Sequence, residues 1–175
     1  MGSRLTQPAA AATKMTLTPV MTLEGYKDDI WSMAYFPDGK RIISASFDKT
    51  IWQWDLQAGK RVEEVRDVYE GNLYLATVSR DGRWVMTSGA RDGEYKELKV
   101  CEVETGILKT IQDSRAISCF DISAGGKFLA SGSRYYRTVL IWRMDKLVAG
   151  PFESHDKVGA VRFSPDLKKL AVTES

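Results

Sequence analysis

Three consecutive residues near the end of the sequence are of the types that form a nucleophilic relay in hydrolases. They are Ser154, His155 and Asp156, and His155 is the only histidine in the chain. In such a relay the hydroxyl bonds to the imidazole, which bonds in turn to the carboxylate. Side chains of adjacent residues on a loop rarely reach that geometry. We therefore do not expect these three residues to perform catalysis.

The other residues that could carry chemistry are isolated from one another. Asp38, Asp81 and Asp166 each stand in a different predicted turn, so we expect turn formers rather than paired general acids. Cys101 and Cys119 have no closely spaced Cys or His, which favours small core thiols in a reducing compartment over a disulfide or a metal site. The sequence contains no phosphate-binding glycine loop or nucleophile motif. We expect no enzyme activity and no cofactor.

The composition is typical of a globular domain. The 175 residues are 43% hydrophobic and 27% charged, with a formal net charge of +2. This balance counts against a nucleic-acid binder that depends on phosphate contacts. No run approaches the roughly 18 apolar residues of a membrane helix, so the one membrane contact considered is a lipid on Gly2, which fits the N-myristoylation pattern.

Four stretches of the sequence align with one another without gaps. Their offsets are 43, 44 and 41 residues, and they begin at Ile30, Leu73, Ile117 and Val158. Each contains two runs of alternating apolar and polar residues around a tight turn, as in a β-hairpin. A third and a fourth run follow in the first three copies. Each complete repeat therefore predicts four short strands in about 43 residues, the period of a propeller blade.

The predicted fold is all-β: a partial β-propeller with about three and a half four-stranded antiparallel blades. One blade cannot bury both of its faces alone, so the blades are expected to stack on one another. A disordered tail is expected at 1–18 and the propeller at 19–175. The blades are expected at about 23–65, 66–112, 113–154 and, in part, 155–175. We call the strands of each blade a to d in chain order.

The stretch FDKTIWQWD, from Phe47 to Asp55, resembles the signature of the WD-repeat β-propeller family, and the resemblance covers roughly residues 20–175. In that family a His of the d–a loop, a Ser or Thr of strand b, an Asp of the b–c turn and a Trp of strand c form a buried hydrogen-bonded network. The resemblance implies that the blades are braced by Tyr26, Ser44, Asp48, Trp54, Thr87, Asp92, Ser131, Trp142 and His155.

Several positions depart from the family pattern. Tyr26 stands where the His is expected, and a phenol cannot accept and donate as an imidazole does, so we expect a weaker or rewired network. Cys101 replaces the Trp of the second blade. The segment Arg134–Tyr136 fills the Asp turn of the third blade, and Val172 replaces the Ser or Thr of the fourth.

The number of strands is unusual for a closed propeller. Pro19–Leu23 is predicted to be an additional outer strand, which makes fifteen strands with twelve from three blades and two from a fourth. Propellers of this kind have about four to eight blades. The sequence is then either a piece of a larger propeller, which we favour, or half of a homodimeric ring in which each Pro19–Leu23 completes the other copy's last blade.

The d–a and b–c loops of such a fold share one rim. The b–c loops are rich in Tyr and Arg, which are enriched at binding hot spots. The candidate rim residues are Phe47, Arg91, Tyr95, Arg134, Tyr135, Tyr136 and Arg137. Alternatively, these loops are solvated and their tyrosines only cover the edges of blades.

These observations together predict a non-catalytic WD-repeat protein-interaction scaffold with a protein or peptide partner. The alternative is an oligomerising structural or sensor domain of a larger signalling protein. A third hypothesis is nucleic-acid binding by the Arg–Tyr loop, whose rings could stack on single-stranded bases, although the charge balance counts against it. The expected compartment is the cytoplasm, with the nucleus as the alternative.

Overall fold

The computed structural model describes residues 20–65, 71–91, 94–112, 117–143 and 146–174. Over these ranges the chain forms three antiparallel sheets of four strands and one of two, each built from strands that follow one another in the chain. We call the sheets blades 1 to 4. Their strands are β1 (Ile30–Tyr35), β2 (Arg41–Ser46), β3 (Ile51–Asp55), β4 (Lys60–Val65), β5 (Asn72–Val78), β6 (Trp84–Arg91), β7 (Glu94–Glu102), β8 (Leu108–Gln112), β9 (Cys119–Ile122), β10 (Leu129–Ser133), β11 (Thr138–Arg143), β12 (Lys146–Glu153), β13 (Val158–Phe163) and β14 (Leu170–Glu174).

The hairpin between strands a and b repeats one left-handed turn in all four blades. Gly39, Gly82 and Gly126 take φ angles of 65°, 72° and 66° at equivalent positions. Glycine adopts this conformation readily because it has no Cβ. In blade 4 Leu167 stands at the same position with a φ of 59°, so the repeat geometry persists where the residue is less suited to it.

The core lies between blades, because alternate side chains of each strand point to opposite faces. Three buried layers join successive blades. A fourth cluster covers the face of blade 1 that points away from blade 2, which we call its outer face. The layers are centred on Ile43 and Leu73, on Met86 and Leu140, and on Val139 and Val161. This stacking of three complete blades and one two-stranded blade confirms the predicted partial β-propeller.

Hydrogen bonds between a strands also join the blades. The Ser32 hydroxyl of β1 donates to the carbonyl of Ala76 at 3.1 Å and accepts from its amide at 3.0 Å. The buried carboxylate of Asp121 accepts from the amide of Phe163 at 2.8 Å and from Arg162 Nη1 at 3.2 Å. These bonds set the distance between neighbouring blades. The four a strands together line a cavity of about 430 Å³.

The predicted outer strand at Pro19–Leu23 is wrong. Pro19 lies outside the described residues, and the described part, from Val20, has no strand conformation. A strand exists only through backbone pairing with a neighbour, and this segment pairs with none of the described strands. Leu23 instead packs its side chain on the outer face of blade 1. The described residues therefore contain fourteen strands rather than fifteen.

Candidate functional site

Three of the predicted bracing residues form a hydrogen-bonded chain in blade 1. The indole Nε1 of Trp54 donates to Ser44 Oγ at 2.8 Å. Ser44 Oγ lies 2.7 Å from Tyr26 Oη, and Tyr26 Oη donates to the Ser44 carbonyl at 2.8 Å. Because the phenol has one proton, the Ser44 hydroxyl must be the donor to Tyr26. Tyr26 thus takes the imidazole's place by turning its proton to the backbone, and its burial raises the pKa of the phenol.

Asp48 joins the b–c turn to the d–a loop without touching the Tyr26 hydroxyl. Its carboxylate accepts from the amide of Lys27 at 2.9 Å and from the amide of Thr50 at 3.0 Å. Burial acts to raise the pKa of Asp48, but the hydrogen bonds outweigh burial and the pKa lies below its ordinary value. The network of blade 1 therefore consists of two sets of hydrogen bonds, one around Ser44 and one around Asp48, rather than one continuous relay.

Strand register identifies the equivalent positions in blades 2 and 3. Trp54 lies opposite Ile42, as Trp142 lies opposite Leu129. Trp142 Nε1 donates to Ser131 Oγ at 2.9 Å, so blade 3 repeats the Trp–Ser bond.

Blade 2 has Cys101 at the position of the Trp. Cys101 lies opposite Val85, and its thiol donates to the carbonyl of Glu102, at 3.7 Å. Thr87 is buried on β6, and Asp92 lies outside the described residues.

Both cysteines are free thiols, Cys119 buried and Cys101 partly exposed. Burial raises the pKa of Cys119 to about 11, so its thiol stays protonated at neutral pH. Burial, and then the charge of Glu102, raise the pKa of Cys101. Neither sulfur is therefore activated as a nucleophile.

The Ser154, His155 and Asp156 group does not assemble a relay in the structure. The Ser154 hydroxyl donates to the carboxylate of Glu174, and the backbone amide of His155 donates to the same oxygen at 3.1 Å. The carbonyl of His155 accepts from Arg137 Nη1 at 3.4 Å. His155 contributes through its backbone, and its side chain is exposed.

Two tryptophans that sequence reasoning did not single out also brace the fold. A Cβ on Gly25 would lie 2.4 Å from the ring of Trp52, and one on Gly126 would lie 2.0 Å from Trp84 Nε1. Each indole therefore occupies space that only glycine leaves open. The Gly immediately before Tyr26, and a Gly-Gly pair in the third turn, are the signals that could have indicated this packing.

The d–a and b–c loops meet at one rim, as predicted from the fold. In blade 1 the Ser46 hydroxyl donates to the Asp28 carbonyl at 3.2 Å, and the Phe47 amide donates to the Asp29 carbonyl at 3.0 Å. At blade 3 the Ser154 amide donates to the carbonyl of Arg137 at 2.7 Å.

The structure places the candidate rim residues in different surroundings. Arg134, Tyr135, Tyr136 and Arg137 are all exposed in the b–c turn of blade 3, and Tyr135 is 84% exposed. Phe47 is partly buried, and its ring packs against two other aromatic rings. The side chains of Arg91 and Tyr95 lie outside the described part of the structure.

Phe47 belongs to an aromatic platform, which we define as Trp31, Phe47 and Tyr74. The rings of Trp31 and Phe47 stack with centroids 4.6 Å apart and an interplanar angle of 16°. Tyr74 meets Phe47 edge-on at 4.9 Å and Trp31 at 5.8 Å. The sequence did not indicate Trp31 or Tyr74, because each sits at a register shift of its strand, Ile30/Ser32 or Leu73/Leu75, and such bulges re-aim a side chain.

The described ranges contain no group of three or more His, Cys, Asp or Glu residues that could hold a metal ion. Over the same ranges, no helix has the length and apolar character to cross a membrane.

Comparisons with known proteins agree with this geometry. The family model described as WD domain, G-beta repeat, matches residues 17–55 and 106–143. Mitochondrial division protein 1 of Neurospora crassa is 29% identical over 114 residues, 65% of this chain and 17% of the relative. A guanine nucleotide-binding protein subunit beta of Zea mays is 31% identical over 133 residues, 70% of this chain and 34% of the relative.

The same agreement holds for a solved structure. The β-propeller domain of Myceliophteria thermophila Cps50 (Swd1) superposes with a TM-score of 0.70 at 17% identity, covering 87% of this chain and 51% of that one. The chain thus spans about half of that propeller chain and smaller shares of the sequence relatives. With its repeats, its stacked blades and its Trp–Ser bonds, the chain belongs to the WD-repeat β-propeller family.

Proposed function

We propose that this chain is a non-catalytic protein-interaction scaffold whose rim binds a peptide or protein segment. The observation that carries the proposal is the exposed turn Arg134–Arg137, in which two tyrosines and two arginines project together. Such side chains bury large areas and still make directed polar contacts, so they are enriched at hot spots.

The groups that could carry out catalysis are engaged in structural hydrogen bonds, which supports a binding role rather than a catalytic one. The Trp54 and Ser44 hydrogen bonds are used in bracing, and the Ser154 hydroxyl is bound to a carboxylate instead of an imidazole. The similarity to a protein named as a subunit of a guanine nucleotide-binding protein supports assembly with other proteins. We propose the cytoplasm as the compartment, where both free thiols are chemically stable.

The test replaces Tyr135 and Tyr136 by Ala and measures affinity capture of partners from a lysate by quantitative mass spectrometry. Loss of hot-spot contacts worth about 2 kcal/mol predicts a roughly thirtyfold weaker capture. Phe152→Ala is the matched control, because Phe152 is an exposed aromatic on the outer strand β12. Undiminished capture by the double variant, with unchanged circular dichroism, rejects the rim assignment.

Self-association is the second candidate, and one observation favours it. Met33 and Tyr35 lie on the outer face of blade 1 and are 66% and 71% exposed, although they continue the apolar face of Ile42. A second copy that covers this face would hide them. Sedimentation of a compact species of twice the chain mass is the expected result, and a monomer at all concentrations excludes it.

A further inference from the structure

Trp31 is the one tryptophan that the fold leaves open to solvent. The chain has five tryptophans, and the other four are at most 9% exposed, whereas Trp31 is 55% exposed. One face of its ring is covered by the stacked Phe47. The exposure therefore belongs to the rest of the indole, including the opposite ring face.

The aromatic platform is held in place before any partner binds. The Phe47 amide bonds to the Asp29 carbonyl, which ties the b–c turn to the strand that carries Trp31. Tyr74 supports both rings edge-on from blade 2. A ring that is already fixed costs little conformational entropy on binding, so the platform is suited to recognition.

Two contacts elsewhere in the chain show which kind of side chain packs on the face of an aromatic ring. Arg41 lies over the ring of Phe36 at 4.3 Å, and Arg61 lies over Trp52 at 4.4 Å. Both are cation–π contacts, which are strongest for Trp and form more often with Arg than with Lys. In the described part of the chain no cation lies over Trp31.

The charges beside the platform favour a cation with a planar head group. Asp28 and Asp29 immediately precede β1, are exposed, and have no ion pair with any described residue. Lys27 and Lys49 are also exposed nearby, and the carboxylate of Asp48 completes a local excess of negative charge. A guanidinium can stack on an indole and bond to a carboxylate at once, whereas an ammonium cannot stack.

We propose that the aromatic platform binds an arginine side chain of a partner peptide, with the guanidinium on the open face of Trp31 and Asp28 or Asp29 as its counter-ion. The inference rests on the proposed function, because it states the chemistry of a partner segment at a second point on the same rim. It assigns this binding to blades 1 and 2 rather than to the Arg134–Arg137 turn.

The test titrates the chain with a capped glycine-flanked pentapeptide that has a central arginine, and follows Trp31 by its indole N–H signal and by fluorescence. The control peptide carries citrulline, which keeps the shape of arginine and removes the charge. A cation–π contact worth about 1 kcal/mol predicts a roughly fivefold tighter binding of the arginine peptide. Higher salt is expected to weaken this binding, because salt screens the attraction between the guanidinium and an exposed carboxylate of Asp28 or Asp29.

Three variants locate the binding. Trp31→Ala is expected to abolish the difference between the peptides, and Asp28→Asn with Asp29→Asn to remove its salt dependence. Phe152→Ala is expected to bind as the unchanged chain does. Asp28, Asp29 and Phe152 are exposed and Trp31 is 55% exposed. Unchanged circular dichroism and a cooperative urea transition show that each variant keeps the fold.

Equal binding of the citrulline and arginine peptides overturns the inference, as does full binding by Trp31→Ala. Tighter Trp31-dependent binding of oligothymidylate than of the arginine peptide also overturns it, in favour of base stacking. The two proposals fail separately. Absence of arginine binding with partner capture still lost in the Tyr135 and Tyr136 variant rejects only this inference, and the reverse result rejects only the rim assignment.

Discussion

At the scale of single residues, the hydrogen-bonded network of blade 1 depends on which acceptor each donor uses. In blade 1 the Trp54 N–H, the Ser44 hydroxyl and the Tyr26 hydroxyl each donate once and in sequence. Replacing the expected imidazole by a phenol did not remove the network, because the backbone carbonyl of Ser44 accepts the last proton. The sequence predicts a weaker or rewired network at this position, and the bracing role of Tyr26 stays a prediction.

The hydroxyl of Tyr26 can be removed without changing the ring. Tyr26→Phe keeps the stacking on Trp52 at 4.4 Å but leaves the Ser44 hydroxyl without its acceptor. We expect the free energy of unfolding to fall by about 1–2 kcal/mol, as for loss of a partly buried hydrogen bond. Urea unfolding measures the change, with Tyr35→Phe as the control because Tyr35 is exposed. Equal stability of both variants would contradict the role of Tyr26.

At the scale of elements, the a–b hairpins position one blade against the next. The turn of blade 3 lies on the indole of Trp84 from blade 2, and Gly126 provides the space for that ring. The amide of Gly125 donates to Asp81 Oδ2 of the blade 2 turn at 3.0 Å. The two neighbouring turns therefore make both an apolar and a polar contact.

The two glycines of the blade 3 turn offer a matched pair of substitutions. Both have positive φ angles, 80° for Gly125 and 66° for Gly126, but a Cβ on Gly125 meets nothing within 4 Å. Gly125→Ala is expected to cost about 1 kcal/mol from backbone strain alone. Gly126→Ala is expected to cost about 1–3 kcal/mol more, because its Cβ overlaps Trp84. Thermal unfolding gives the comparison, and equal melting temperatures would refute the packing role of Trp84.

At the scale of the whole molecule, carboxylates in several turns, and Glu174 in its contact with Ser154, accept hydrogen bonds. Hydrogen bonds hold their pKa values below the ordinary range: the Lys40 amide acts on Asp38, the Ala58 amide on Asp55, and the Ser164 hydroxyl on Asp166. The Ser154 hydroxyl has the same effect on the pKa of Glu174. The effect occurs in the first blade, at Asp38 and Asp55, and in the last, at Asp166 and Glu174.

Stability should therefore depend on pH in the acid range. A carboxyl whose pKa is lower in the folded state stabilises the fold fully above its unfolded value, near 4. That contribution is lost as the pH falls through the lowered folded pKa. We expect the urea midpoint to be constant from pH 7 to about pH 5 and to decrease below pH 4. A midpoint that stayed constant to pH 3 would show that these hydrogen bonds do not stabilise the fold.

The sequence by itself determined the repeat and the strand-turn-strand pattern, since these depend on local alternation and on residues at constant spacing. The Trp–Ser pairs were implied by the resemblance to the WD-repeat family. The sequence also placed the d–a and b–c loops on one rim. Only the tertiary structure decided the conformation of Val20–Leu23, because a strand needs a partner to pair with. Leu23 instead packs on the apolar outer face of blade 1. The tertiary structure alone brought Trp31 and Tyr74 to Phe47, because bulges in two strands 43 residues apart turn these rings together, and no local pattern encodes the direction of a bulged side chain.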